Sequence, residues 1–371
     1  MKTALCARLG ISYPIIQAPM ASVATPQLVA AVSNAGALGS LGALALAPHA
    51  IVEQVAAIRA LTSKPFNVNL FAMEAPPVEQ RQIAHLLQLL APIHAELGLA
   101  PPVAPTQYGQ SLCGQVEALI EAKPAVVSFH LGLLDATSVA RLRDAGSFVI
   151  GNATNVAEAQ AWAATGADAV SAQGAEAGGH RGTFIGDVHA SMIGTIALVP
   201  QIVDAVKIPV IAAGGIMDGR GIAAALALGA QAAQLGTAFI GCAESSAPPV
   251  WRQALRDAQD TSTQLTKAFT GKHARGIANE FMRRLAAHED DFPPYAVHSS
   301  LTWELRHAAA KAGRGEFLSM WAGQGASLAR SRSENIPAAE LVAMLAKETA
   351  AAFAANASNG KWLDAREQTI I

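Results

Sequence analysis

Eleven residues, Gln173 to Thr183, read Gln-Gly-Ala-Glu-Ala-Gly-Gly-His-Arg-Gly-Thr and bring together one acid, two basic side chains and four glycines. An imidazole titrates near neutral pH and suits proton transfer. Glycine lets the backbone approach a ligand closely or take a positive φ. His180 is therefore a candidate acid–base group and Arg181 a candidate holder of negative charge on a substrate. A solvated surface turn could carry the same residues. What distinguishes this one is the apolar run Ala167–Ala172 just before it, which reads as a buried strand.

Two further junctions have the composition of an anion site. Ala212-Ala213-Gly214-Gly215-Ile216 and Gln234-Leu235-Gly236-Thr237-Ala238 each end an apolar run in glycine. A Cβ there would block the approach of a phosphate to backbone N–H groups. Asn69 and Gln173 carry amides able to read the edge of a heteroaromatic ring, or to satisfy a buried strand end. His130, in Ser128-Phe129-His130-Leu131-Gly132, either lines the site or is a satisfied core histidine. Gly219-Arg220-Gly221-Ile222-Ala223-Ala224 matches a dinucleotide-binding pattern, but no acid follows at about 20 residues, so it reads as the start of a helix. Gly360-Lys361 precedes Trp362 and makes no phosphate loop, and no His/Cys/carboxylate set has metal-ligand spacing.

Positioning these groups takes a repeated unit. Candidate strands run over Pro14–Ala18, Ala37–Leu44, Phe66–Phe71, Val126–Leu131, Phe148–Gly151, Ala167–Ala172, Val210–Ala213 and Ala232–Ile240, with helical patterns between them. Thr25-Pro26 reads as a helix N-cap and first position. Gly36, Gly146, Gly166 and Gly229 each stand where a helix should stop before the next strand. Strands alternating with helices imply parallel pairing with right-handed crossovers. Eight such units close best as a TIM (β/α)8 barrel, an α/β fold whose active site lies at the C-terminal strand ends; an open doubly wound sheet is the alternative. The prolines and leucine-rich helix of residues 75–123 read as an enlarged connection. The expected division is a barrel over 1–244 and a helical appendage over 245–371 that covers its mouth.

Composition bounds the rest. With 371 residues, 51% apolar and 15% charged, the chain suits a large core. A net charge of −2 gives no bulk attraction to nucleic acid or an anionic membrane, and no apolar run is long enough to span one. Cys6, Cys113 and Cys242 are odd in number and far apart, which suits a reducing, cytoplasmic compartment. No signal-peptide core is read at the N-terminus, where Arg8, Pro14 and Gln17 interrupt the apolar sequence.

Taken in order, several segments resemble the class I nitronate monooxygenases. They are Ile15-Ile16-Gln17-Ala18-Pro19-Met20, Asn67-Val68-Asn69-Leu70-Phe71, Val127 to Gly132, Gly174 to Gly182, Thr270-Gly271-Lys272-His273-Ala274-Arg275-Gly276 and Trp321-Ala322-Gly323-Gln324-Gly325. Each is weak alone, but the ordered set spans nearly the whole chain. The resemblance implies an FMN-dependent barrel with a helical lid. It implies FMN phosphate at Gly214, Gly215 and Gln234, Leu235, Gly236 and Thr237, and ring or ribityl contacts from Met20, Asn69, Gln173 and Gly178. His180 matches the catalytic histidine, with His130 and Arg181 as candidate substrate contacts. The implied reaction converts an alkyl nitronate, such as propionate 3-nitronate, with O2 into a carbonyl compound and nitrite. A homodimer is compatible with this reading.

The chain departs from the pattern in two places. Ser22 and Val23 stand where a glycine pair follows Met20 in the family, and Ala43-Leu44-Ala45-Leu46 lacks the usual tyrosine. Both loops border the substrate. The competing readings are an NAD(P)H:quinone or enoyl-thioester reductase on the same FMN barrel, and a flavin-free isomerase or synthase of phosphorylated sugars.

Overall fold

The computed structural model describes residues 2–74, 76–331 and 335–359. Eleven strands are formed: β1 Ile15–Gln17, β2 Gly39–Gly42, β3 Phe66–Phe71, β4 Val126–His130, β5 Phe148–Ala153, β6 Ala169–Gln173, β7 Gly179–His180, β8 Val210–Ala213, β9 Ala232–Leu235, β10 Thr263–Thr266 and β11 Ala274–Ile277. Eight pair in parallel in the order β1-β9-β8-β6-β5-β4-β3-β2. Hydrogen bonds from Gln17 N to Leu38 O (2.9 Å) and from Leu38 N to Ile15 O (3.0 Å) bring the two ends of that sheet together. The result is the expected TIM barrel.

Local chemistry explains the alternation. Thr25 accepts from Leu28 N at 3.0 Å ahead of Pro26. The four stop glycines, Gly36, Gly146, Gly166 and Gly229, take φ of 90°, 97°, 87° and 96°, a conformation that carries a steric cost for any residue with a Cβ. Outward-facing Val68, Val127, Val170 and Ala212 meet the surrounding helices. Inward-facing Ile16, Leu38, Val126, Ile150, Ala169 and Ile211 fill the lower barrel against Leu5 and Leu9 of the N-terminal helix Ala4–Leu9. The Gly219-Arg220-Gly221 segment starts a helix, with Asp218 accepting from Arg220 N (2.9 Å) and Gly221 N (3.2 Å).

Three expectations need correcting. The eighth barrel strand stops at Leu235, not Ile240, and Thr237–Ile240 form one helical turn. Phe239 and Ile240 are buried either way, so their apolar character carried no period. The appendage is not purely helical. Between its helices β10 and β11 form an antiparallel sheet with β7, pairing His180 with Ala274 and Gly179 with Arg275. These short segments lack a run of β-formers and owe their shape to the pairing. The packing also crosses the expected boundaries. Ile83, Leu86 and Leu90 of helix Gln80–Glu96 share an apolar cluster with Trp251, Phe281 and Leu305. Leu341, Val342 and Leu345 of helix Ala338–Asn359 return to the barrel cluster, against helices Pro26–Asn34 and Gly219–Ala227. Residues 360–371, including Gly360-Lys361, lie outside the described residues.

Candidate active site

Above the apolar floor the barrel interior turns polar. Asn67 Nδ2 donates to Ser40 Oγ (3.2 Å) and Ser128 Oγ (2.9 Å). Asn69 Nδ2 donates to Ser128 O (3.1 Å) and lies 2.9 Å from Ser128 Oγ. Asn67 Oδ1, Asn152 Nδ2 and Ser171 Oγ are buried with no hydrogen-bond partner among the described residues. Leaving such atoms unpaired costs about 1–3 kcal/mol each, so this well has the character of a place that takes water or a polar ligand.

The Gln173–Thr183 segment is held over the well by its own polar groups. Gln173 Nε2 donates to His180 O (2.9 Å), and Gln173 Oε1 accepts from Gly182 N (2.8 Å). His130 Nε2 donates to the same His180 carbonyl at 3.0 Å. Burial pushes the His130 imidazole down to about 4, so it is neutral near pH 7. Arg181 turns inward: its guanidinium donates to the carbonyls of Gln173 (2.5 Å), Thr154 (3.4 Å) and Ser191. Burial lowers it to about 10, opposed by Glu158 and Glu176. Buried Glu158 ties down the end of the segment by accepting from Ile185 N (2.9 Å), Phe184 N (2.5 Å) and Thr154 N (2.6 Å).

The two glycine turns stand side by side, because β8 and β9 are neighbours with Ala213 opposite Gln234. Gly214 and Gly215 take φ of 120° and 71°. Behind them the carboxylate of Glu176 accepts from Thr195 N (2.9 and 3.0 Å) and thereby covers the start of helix Thr195–Ala205. The Trp321–Gly325 segment closes the group. Gly323 N donates to Thr237 Oγ1 (3.0 Å), and a Cβ on Gly178 would lie 2.6 Å from Gly323 N. Met20 lies half-buried between the barrel and appendage clusters.

His180 sits at the centre of this mouth. Its ring is half-buried among Phe71, Tyr295 and Trp321, at centroid distances of 5.5, 5.4 and 5.7 Å. Its Nε2 lies 3.0 Å from Thr270 Oγ1. Among the described residues its Nδ1 has no hydrogen-bond partner. Burial first, then His130, Lys272 and Arg306, push the imidazole down to about 3. Lys272 Nζ donates to Thr183 O (3.2 Å), and burial lowers its pKa. Arg306 Nη2 donates to Ser299 O (2.8 Å), Nε has no partner among the described residues, and burial lowers the group to about 10. Burial raises the Tyr295 phenol above its ordinary value. The charged groups coupled to His180 are thus cationic.

Sequence reasoning selected His180, the amides and the glycine turns, and these meet at one end of the barrel. It assigned no role to Phe71, Thr270, Lys272 or Trp321, although each stands in a quoted motif. Tyr295 and Arg306 lie in no motif. A cavity of about 640 Å³ lined by Arg8, Phe148 and Asp168 shares no residue with this cluster. Among the described residues no group of His, Cys, Asp and Glu is placed to hold a metal, and no helix is long and apolar enough to cross a membrane.

Comparison with known proteins agrees with this geometry. The profile of the family described as nitronate monooxygenase matches residues 2–348. A probable nitronate monooxygenase of Staphylococcus aureus is 42% identical over 335 residues, covering 90% of this chain and 94% of the relative. Among solved structures, a nitroalkane oxidase from Streptomyces ansochromogenes superposes with a TM-score of 0.85 at 42% identity, covering 93% of this chain and 98% of the other. FabK from Thermotoga maritima gives a TM-score of 0.76 at 30% identity, over 97% and 99%.

Proposed function

Because the chain belongs to the nitronate monooxygenase family, we propose that it is an FMN-dependent enzyme that oxidises alkyl nitronates with O2 to a carbonyl compound and nitrite. The observation that carries this reading is His180, a neutral imidazole walled by Phe71, Tyr295 and Trp321, with Lys272 and Arg306 as its charged neighbours.

The residues present fit the cofactor. The Gly236–Thr237 turn leaves room for a phosphate, since a Cβ on Gly236 would meet only the Ala18 Cβ, at 3.5 Å, whereas Cβ atoms on the adjacent Gly214 and Gly215 would press on Thr195 Oγ1 (3.0 Å) and Glu176 Cβ (3.2 Å), so that turn is held to glycine by packing. Gln234, Leu235, Gly236 and Thr237 would hold that phosphate with Gly214 and Gly215. Met20, Asn69, Gln173 and Gly178 would contact the ring and ribityl chain, Gln173 through its second amide proton. FMN, when bound, supplies the electron transfer between nitronate and oxygen.

The chain's own residues supply position and charge. Lys272 and Arg306 favour an anion at the His180 ring. The aromatic walls exclude water and so strengthen that attraction. With a neutral nitroalkane His180 acts as the base. With a nitronate already formed, the anion raises the ring's affinity for a proton, and the protonated Nδ1 donates to a nitronate oxygen. His130 holds the His180 backbone, and Arg181 holds the segment from inside.

The test is anaerobic. FMN-loaded protein mixed with an alkyl nitronate should lose its oxidised-flavin absorbance, and NADH should leave it intact. Rapid bleaching by NADH with none by nitronate would favour the reductase reading. A protein that takes up no flavin would favour the isomerase or synthase.

A further inference from the structure

We propose that Thr270 is a positioning residue that fixes the tautomer of His180: its hydroxyl accepts the Nε2 proton and leaves Nδ1 as the bare, proton-accepting nitrogen in the mouth of the barrel. This rests on the reading of His180 as a base given above.

The Thr270 hydroxyl lies 3.0 Å from His180 Nε2 and 3.2 Å from Lys272 O. It has one proton to give. If that proton goes to Nε2, the Lys272 carbonyl loses its donor and Nδ1–H is left unpaired. If it goes to Lys272 O, the carbonyl is satisfied, Nε2–H finds an acceptor, and only the Nδ1 lone pair stays open. Among the described residues no other donor reaches Lys272 O, so the second arrangement satisfies more groups.

The hydroxyl is also held in place. Thr270 is buried, and both its N–H and that of Gly271 donate to Lys267 O, at 3.2 and 2.8 Å. Gly271 has φ 73°, and a Cβ on it would lie 2.2 Å from Pro293 O, so the turn is pressed against the Pro293–His298 stretch of the same appendage. From that side His298 Nε2 donates to Ala268 O (2.6 Å) and Thr302 Oγ1 to Phe269 O (2.6 Å). The position of the Thr270 hydroxyl thus follows from backbone contacts on both sides.

The consequence is selective. With a neutral nitroalkane the C–H bond next to the nitro group breaks. The proton goes to Nδ1, and the electron pair passes into the nitro group to give the nitronate. Nε2–H stays donated to Thr270 throughout. A preformed nitronate skips this step. Thr270→Val removes the acceptor and Thr270→Ser keeps it.

The experiment compares kcat/KM for nitroethane and for ethyl nitronate, and records the 15N spectrum of histidine-labelled protein, with His180→Asn identifying the His180 signals. In Thr270→Val the nitroethane-to-nitronate ratio should fall at least about tenfold, with the roughly 10²–10⁴ that a positioned base contributes as the upper bound. Thr270→Ser should restore it. The wild-type spectrum should show Nε2 protonated and Nδ1 bare. Equal loss on both substrates, no rescue by serine, or a proton on Nδ1 in the wild type would overturn the proposal. If Thr270→Val does not fold, the wild-type spectrum decides. If wild type oxidises neither substrate, the functional reading fails while the spectrum still reports on Thr270.

Discussion

Replacing Gly182 by alanine tests the packing that holds His180. An ideal Cβ there would lie 2.2 Å from Asn152 Nδ2, 2.7 Å from His130 Cε1 and 3.1 Å from His130 Nδ1. Both side chains are packed in the barrel mouth, so neither can swing into solvent. Moving His130 breaks its 3.0 Å bond to His180 O, and moving the backbone breaks the 2.8 Å bond from Gly182 N to Gln173 Oε1. Overpacking costs about 1–3 kcal/mol and each lost hydrogen bond about 1 kcal/mol, so the change should destabilise the fold by about 2–5 kcal/mol. Urea denaturation of the flavin-free protein measures it. Gly179→Ala is the control. Gly179 has φ 74° but nothing within 4 Å of its would-be Cβ, so it carries only backbone strain, about 1–2 kcal/mol. A Gly182→Ala protein as stable as wild type, or less affected than Gly179→Ala, would refute the packing argument.

Other perturbations separate other terms. Ser22 has φ 63° where the family pattern has glycine, so Ser22→Gly should raise stability by about 0.5–1 kcal/mol in the same denaturation assay. His130, His180 and His298 are pushed from 6.5 to about 4, 3 and 3. The unfolded chain then binds more protons than the folded one below pH 6.5. These three histidines should therefore make stability fall as pH drops from 6.5 through about 4 to about 3, and should contribute no pH dependence near neutral pH, read from denaturation midpoints across pH. Arg306→Met removes a buried cation beside His180 that has no carboxylate partner among the described residues. It should raise KM for an anionic nitronate roughly tenfold, the value of one hydrogen bond to a charged group, while stability holds or improves; steady-state kinetics and denaturation check the two halves.

The sequence carried the scaffold where one residue type answers one physical need. Gly36, Gly146, Gly166 and Gly229 marked helix ends because few other residues tolerate their φ; Val210–Ala213 fell where expected because a buried parallel strand can be continuously apolar, and Phe66–Phe71 because its alternate residues Phe66, Val68 and Leu70 are apolar. The same logic failed at Phe239-Ile240, where burial in a helical turn and in a strand look alike. It failed at Thr263–Thr266 and Ala274–Ile277, whose strand form comes from pairing with Gly179–His180, far away in the chain. The candidate site divided the same way. His180 stood out through its glycine neighbours, whereas Thr270 and Arg306 acquire meaning only when the appendage folds over the mouth. Arg181 looked available in sequence because nothing local reveals that the carbonyls of Gln173 and Ser191 occupy it.

Two glycine turns and one imidazole share a single mouth, and a crystal structure of the FMN complex tests directly whether the cofactor joins them. The phosphate should lie between Gly214–Gly215 and Gly236–Thr237, with the flavin ring beside His180 and Asn69. A phosphate bound elsewhere, or a ring separated from the His180 imidazole, would contradict it.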